Sequence, residues 1–390
     1  MCWINLILRI IVAVHSVTSS STLRFVFITT RGGDHELCTY IGGPNITHTN
    51  VNEMDSRLTS QGKEAAFKLG KEISNKYKEY FKISTWSNES YWSFGGTAKR
   101  HQEEALLIGA GMENNAHLIS HNWTETELKG AILPKIENYY RFFYPSKCPE
   151  FFKELSSPEL LKEFTALLET YRQSIQELKK NYDEVNITIL YQVWISYETI
   201  QRMKNQGQQP EWWTTEIEQG LKAFSEEYLY KSLTQTKKLR RLAGGSILSD
   251  VLNDMDKIMS GKGQPLSSGK SKIKISIFTT SQTVVGAQLA AFAPTDTIIG
   301  NQLIVPRIFY PETGAAHIIE LHKMKNGDWK VKMIYKNDKN NGNNYQDMII
   351  PGCDKMCPYE KFRRKLRKFR LSEDQQEKEC KSKKSKHNTI

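Results

Sequence analysis

Beyond its first twenty or so residues, this 390-residue chain has no apolar run that approaches the about 18 to 20 residues needed to cross a bilayer, so no transmembrane anchor is expected. It also has neither G-x-x-x-x-G-K-[ST] nor G-x-G-x-x-G spacing, which removes the common phosphate-loop and dinucleotide-loop readings. Gly244 and Gly245, after "KKLRRLA", read instead as a tight turn. No internal repeat is present, and no His, Cys or Asp grouping has metal-ligand spacing. His317 and His322 stand five apart in the strand-like stretch "AAHIIELHKM" and so face opposite sides. Neither a metal nor a cofactor is expected.

Cysteine is sparse, at six residues. The opening "MCWINLILRIIVAVHSVTSSS" combines an apolar stretch of signal-peptide length with small residues suited to cleavage, so residues 1–21 are read as a signal peptide and the protein as secreted. Loss of that segment removes Cys2 and leaves Cys38, Cys148, Cys353, Cys357 and Cys380, an odd number in an oxidising compartment. Acceptors for N-glycosylation stand at Asn45, Asn88, Asn122 and Asn186.

What remains is an ordinary globular composition, 39% hydrophobic and 11% aromatic. The net charge of +11 is unevenly placed: from Tyr359 onward twelve Lys or Arg face five Asp or Glu. The body is only mildly basic, and no nucleic-acid partner is implied. The tail segments "KFRRKLRKFR" and "CKSKKSKHNTI" read either as an attractor for anionic surfaces or as a solvated amphipathic helix with a frayed end.

Leu23 to Thr30 is short, apolar and β-branched, and a turn signal follows it: a buried strand. In "LTSQGKEAAFKLGKEISNKYKEYF" the residues Ala66, Leu69, Ile73, Tyr77 and Tyr80 fall at three- and four-residue spacing, which makes one helix face, with Thr59 as N-cap. Long polar helical patterns run from about Cys148 to Leu242. Strand-like segments return at 272–280, 315–324 and 329–337. The expected division is an α/β core over 22–147 and 246–350, a helical insertion over 148–245, and a basic C-terminal tail over 351–390. Trp212 and Trp213 are expected to pack the insertion against the core.

The order of these segments resembles the histidine acid phosphatases, particularly the secreted and venom forms of insects. "LRFVFITTRGGD" is similar to their first strand and R-H-G-x-R-x-P loop, and "LTSQGKEAAFKLG" to the helix after it. "KKLRRLAGGSILSDVLNDM" is similar to their R-L-x-G-G-P-L stretch, "ISIFTTSQTVVGAQLAAF" lies where they carry a His-Asp pair, and "PGCDKMCPYEKF" is similar to their C-x-x-x-C-P motif. The resemblance implies a central mostly parallel sheet flanked by helices, with a large helical insertion. It implies phosphomonoester hydrolysis through a phosphohistidine, which needs an imidazole nucleophile, an arginine clamp and a carboxylic acid.

Carried over residue by residue, Arg31 keeps the motif's first arginine, while Gly32 stands at the nucleophile and His35 at the second arginine. Phe94 falls at a phosphate-binding arginine, Arg100 at a later structural arginine, and Ser281 and Gln282 at the His-Asp pair. Glycine cannot form a phosphoenzyme and glutamine cannot act as the acid. The expectation is therefore a catalytically inactive, acid-phosphatase-like glycoprotein that works as a binding or effector protein of venom or saliva type. The alternative is an active acid phosphatase, with His35 as the first substitute nucleophile to consider. Arg31 is a phosphate or sulfate contact together with Lys99 and His35, or else a strand-end hydrogen-bonding residue. Partners left open are an unidentified protein, an anionic ligand and a second copy of the chain. Spacing and resemblance imply a Cys353–Cys357 disulfide, and resemblance alone implies Cys148–Cys380. Cys38 is then left outside both.

Overall fold

The computed structural model describes residues 22–39, 51–131, 148–261, 272–293, 297–299, 302–303, 309–337 and 345–381. The expected signal segment 1–21, the acceptor Asn45, most of the "SGKGQPLSSGK" and "KNDKNNGNNYQD" loops, and the terminal segment after Lys381 lie outside the described residues.

The strands are β1 (Leu23–Arg31), β2 (Tyr91–Gly95), β3 (Ile275–Thr280), β4 (Ile298–Ile299), β5 (Gln302–Leu303), β6 (Ala316–Lys323), β7 (Trp329–Lys336), β8 (Tyr345–Ile349) and β9 (Cys357–Pro358). They form one sheet in the order β2-β3-β1-β6-β7-β8-β4-β5, with β9 on β7. The expected parallel arrangement is that of the half that will carry the site: β3 runs parallel to both β1 and β2. From β6 outward the pairing is antiparallel, as suits strands joined by short connections such as the one between β6 and β7.

Strand β1 lies between β3 and β6, with the helix Ser60–Phe81 packed on one face and the helix Gln282–Phe292 on the other, which explains its near-continuous apolar run. Alternate side chains then divide between two cores. Val26 and Ile28 join Ile73, Tyr77, Leu107 and Ile108 beneath α1 (Ser60–Phe81) and α2 (Lys99–Met112). Phe25 and Phe27 join Phe278, Leu289 and Phe292 on the opposite side. Thr59 caps α1 as expected, its hydroxyl accepting from the Gly62 N–H at 3.1 Å.

After the short α3 (Glu125–Gly130), the helices α4 (Pro149–Leu155), α5 (Pro158–Thr170), α6 (Arg172–Asn181), α7 (Leu190–Asn205) and α8 (Thr215–Thr234) fill the stretch where an insertion was expected. Trp213 is buried, stacks on Tyr197 and donates its indole N–H to Glu218, and Trp212 meets Tyr182 edge-on, so these contacts of the pair join the helices of this stretch to one another, where packing against the core was expected. The next helix, α9 (Lys237–Met259), corrects one expectation: Gly244 and Gly245 lie inside it, not in a turn, and the boundary expected after residue 245 falls mid-helix. A Cβ on Gly244 would lie 2.0 Å from the Ala287 carbonyl oxygen of α10 (Gln282–Phe292), and one on Gly245 would lie 2.3 Å from the Phe369 carbonyl oxygen. Glycine is used there for close backbone approach.

The described part of the tail, 351–381, is folded as well. Helix α11 (Tyr359–Leu366) buries Tyr359, Phe362 and Leu366, and Phe369 and Leu371 follow them into the core before α12 (Glu373–Cys380). Disulfides join Cys148 to Cys380 and Cys353 to Cys357, while Cys38 is buried outside both. No helix among the described residues is long and apolar enough to cross a membrane.

Candidate functional site

Carboxyl ends of parallel strands are where α/β sheets hold ligands, and the residues singled out from sequence gather at the ends of β1, β2 and β3. The Gly32 N–H donates to the Thr280 carbonyl at 2.9 Å, and the Gly96 N–H to the Thr279 carbonyl at 2.9 Å, which fixes the three ends side by side. Ser281 then stands at the N-cap position of α10 without a side-chain capping bond, its hydroxyl 3.0 Å from that of Thr283.

Arg31 is brought to this place and then neutralised. Its guanidinium donates to the Pro311 carbonyl at 2.6 Å and to Glu198 of α7 at 2.7 Å, with both side chains under a tenth exposed. The other Glu198 oxygen accepts from the Tyr310 hydroxyl, and Arg202 lies 3.4 Å from the carboxylate. Burial alone would disfavour both charges. The neighbours outweigh it: beside Glu198 the guanidinium is held above its ordinary value, and beside Arg31 and Arg202 the carboxylate is held below its own. The pair is ionised and internally satisfied. Gln282 donates to the same Pro311 carbonyl at 3.1 Å.

Gly32 has no side chain, and the space one would use is filled. A Cβ there would lie 3.1 Å from Glu104 Oε2 and 3.1 Å from His101 Cδ2, both on α2. Glu104 Oε2 accepts from the Gly33 N–H at 3.2 Å. Burial pushes the Glu104 carboxyl up to about 8, only partly opposed by Gly33 and Arg100, and burial with Arg100 nearby holds His101 well below the usual histidine range. Two neutral groups therefore plug the position after Arg31.

The other residues do not converge on a phosphate clamp. His35 is buried, its Nδ1–H donating to the Glu36 carbonyl at 2.9 Å, and burial followed by Arg202 and Arg100 keeps it neutral. Lys99 pairs with Glu125 at 2.7 Å and Asp55 at 3.0 Å. Arg100 ties the Glu53 carbonyl, Ser56 and the Glu53 carboxylate, a structural set of contacts. Phe94 stacks on Phe278 with ring centroids 5.1 Å apart, inside the core. The acceptors Asn88, Asn122 and Asn186 are exposed, and the Thr188 hydroxyl of the last sequon donates to Asn186 Oδ1 at 2.6 Å. Among the described residues no His, Cys, Asp and Glu group could hold a metal ion.

Sequence reasoning missed Glu198, Tyr310, His101 and Glu104. A carboxylate inside the apolar face of "VWISYETI" was the available signal for Glu198, since such a residue is buried only with a partner. Nothing local marked His101 or Glu104.

The fold is that of solved histidine acid phosphatase and phytase structures. The apo phytase of Hafnia alvei superposes with a TM-score of 0.62 at 12% identity, over 94% of this chain and 100% of that one. The phytase of Citrobacter braakii does so with a TM-score of 0.60 at 13% identity, over 93% of this chain and 100% of that one. No family model matches the chain. Curated relatives are closer: the chain is 36% identical over 382 residues to acid phosphatase-like protein XcAP-1 of Xenopsylla cheopis, covering 97% of this chain and all of that protein. It is 37% identical over 381 residues to XcAP-3 of the same organism, covering 97% and 98%. The chain belongs to this acid phosphatase-like family.

Proposed function

We propose that this protein is a secreted, catalytically inactive member of the acid phosphatase-like family that acts as a binding or effector protein of venom or saliva type. One observation carries the reading: the residue after Arg31 has no side chain, and Glu104 and His101 crowd the space beside it, each 3.1 Å from where a Cβ would lie. Gly32, Phe94, Ser281 and Gln282 are read as degenerate catalytic positions, with His35 in place of a second arginine. Three chemical functions are then missing together: attack on phosphorus, proton donation to the leaving alcohol, and clamping of the transition-state charge. Arg31 serves as a strand-end residue, because its donors already meet Glu198 and Pro311. Weak retention of phosphate or sulfate would have to displace that carboxylate.

The reading also takes residues 1–21 as a removed signal peptide and 148–245 as a cap on the core. Two disulfides and three exposed sequons support an oxidising route. The test is hydrolysis of p-nitrophenyl phosphate by purified protein from acid to neutral pH, with circular dichroism at each pH to confirm folding. No turnover above a blank from the same host is expected. Robust turnover that disappears in His35→Gln would replace this reading with an active enzyme using His35.

A further inference from the structure

The basic tail is the strongly charged feature that the strand-end site leaves unexplained. Its backbone is pinned: the Leu371 N–H donates to the Gly245 carbonyl at 3.0 Å and to the Ser249 hydroxyl at 3.0 Å. Tyr359 donates to Asp256 at 2.6 Å, Arg241 ties Glu379 at 2.6 Å, and the Cys148–Cys380 disulfide closes the end. Arg363 is balanced by Asp256, and Arg370 donates to Asn253. Lys361, Arg364, Lys365, Arg367 and Lys368 make no ion pair with any described carboxylate, and Glu360 is the lone acid within α11. Arg364, Arg367 and Lys368 are exposed, and Lys361 and Lys365 half-exposed.

Positions 361, 364, 365 and 368 follow helical neighbour spacing, so these cations form a stripe about 10 Å long. We propose that this stripe, held rigid by the buried Tyr359, Phe362, Leu366 and Phe369 and by the Cys148–Cys380 bridge, is a docking surface for a sulfated polysaccharide.

Three observations choose that partner among polyanions. Every aromatic and aliphatic residue from Tyr359 to Leu371 is buried, so the surface offers no apolar wedge for a bilayer and no ring on which an exposed base could stack. The cations are two arginines and three lysines, of which Lys368 also lies over the Phe369 ring; their N–H donors suit sulfate oxygens, whose charge persists at all ordinary pH values. The disulfides place the chain in an oxidising compartment, where sulfated glycans rather than nucleic acids are the polyanions at hand.

The test is elution of the full-length protein from immobilised heparin in a salt gradient near neutral pH. The patch variant is Arg364→Gln, Lys365→Gln, Arg367→Gln and Lys368→Gln together. A control variant removes the same charge elsewhere, with Lys153→Gln, Lys162→Gln, Arg172→Gln and Lys180→Gln, all exposed positions on α4 to α6. Each cation near an anionic surface contributes roughly fivefold, so the patch variant should lose on the order of several hundredfold in heparin affinity while the control loses far less. Equal elution of parent and patch variant, or an equal loss in the control, would overturn the proposal. So would a third variant, Lys383→Ser, Lys384→Ser and Lys386→Ser, that alone accounts for the whole loss. Sedimentation with phosphatidylserine-containing vesicles and competition with duplex DNA complete it: binding to either that matches heparin at the same salt would also overturn the choice of partner.

Discussion

Replacing Gly32 by alanine tests whether the strand-end site is plugged. Gly32 is not among the described glycines with positive φ, so alanine meets no backbone strain and should gain about 0.4–1 kcal/mol by restricting the unfolded chain. Against this, its Cβ would press within 3.1 Å of both Glu104 Oε2 and His101 Cδ2, each fixed on a buried helix face. Overpacking of that kind costs about 1–3 kcal/mol, so on the central values the packing loss outweighs the entropic gain and leaves Gly32→Ala less stable by about 1 kcal/mol. Urea unfolding would read this as a lower midpoint at unchanged slope.

The source of the loss is separable. If Glu104 is what the methyl group meets, Gly32→Ala should cost less in a Glu104→Ala background, with a coupling of about 1 kcal/mol across the double-mutant cycle. A neutral or stabilising Gly32→Ala, or strict additivity with Glu104→Ala, would refute the argument, because the space beside Gly32 would then be open. The same geometry predicts that Gly32→His alone restores no turnover: an imidazole cannot enter without displacing His101 or Glu104.

Glu104 should also make stability depend on pH in an unusual direction. Its carboxyl stays protonated up to about 8 when folded but ionises near 4.5 when unfolded, so the folded state holds the extra proton between those values and stability falls as pH rises through the window. Glu104→Gln does not titrate and should gain on the parent by up to a few kcal/mol from the bottom of that window to the top; a constant difference in thermal midpoint would contradict this. His35, His101 and His317 act on the acid side: all three are held below 6.5 by burial, so stability should fall as pH drops below 6.5 and the unfolded chain takes up protons that the fold refuses. Glu198→Ala leaves the Arg31 guanidinium buried and unpaired, and should cost about 3–5 kcal/mol in denaturant unfolding; a loss under 1 kcal/mol would mean water reaches Arg31. Removing the Cys148–Cys380 bridge releases a loop with a sequence separation of 232, against 4 for Cys353–Cys357. In the chain-entropy account these are worth about 5 and about 2 kcal/mol, so the paired Cys148→Ala and Cys380→Ala variant should melt well below Cys353→Ala with Cys357→Ala.

Much of the fold was legible because it is written in local periods. The run from Leu23 forms β1, the spacing of Ala66, Leu69, Ile73 and Tyr77 forms the buried face of α1, and Thr59 caps it. Gly244 and Gly245 misled for a nonlocal reason: a glycine pair favours a turn by itself, but here α10 and the Phe369 carbonyl press against the helix at that point. The amphipathic helix of the basic tail was legible in the same way as α1, since one apolar residue every three or four positions seats α11 on the core. At the site the limit is sharper still. That glycine follows Arg31 can be read from the chain, but what Arg31 does depends on Glu198, 167 residues away, and what fills the space beside Gly32 depends on α2. Pairing of Arg31 requires α7 to set a carboxylate 2.7 Å from it, a contact that no local pattern announces. A vacated phosphate site would leave Arg31 facing solvent and ready to take an anion; here Arg31 is buried in an ion pair with Glu198, so stability, more than anion affinity, is the quantity that substitutions here should move.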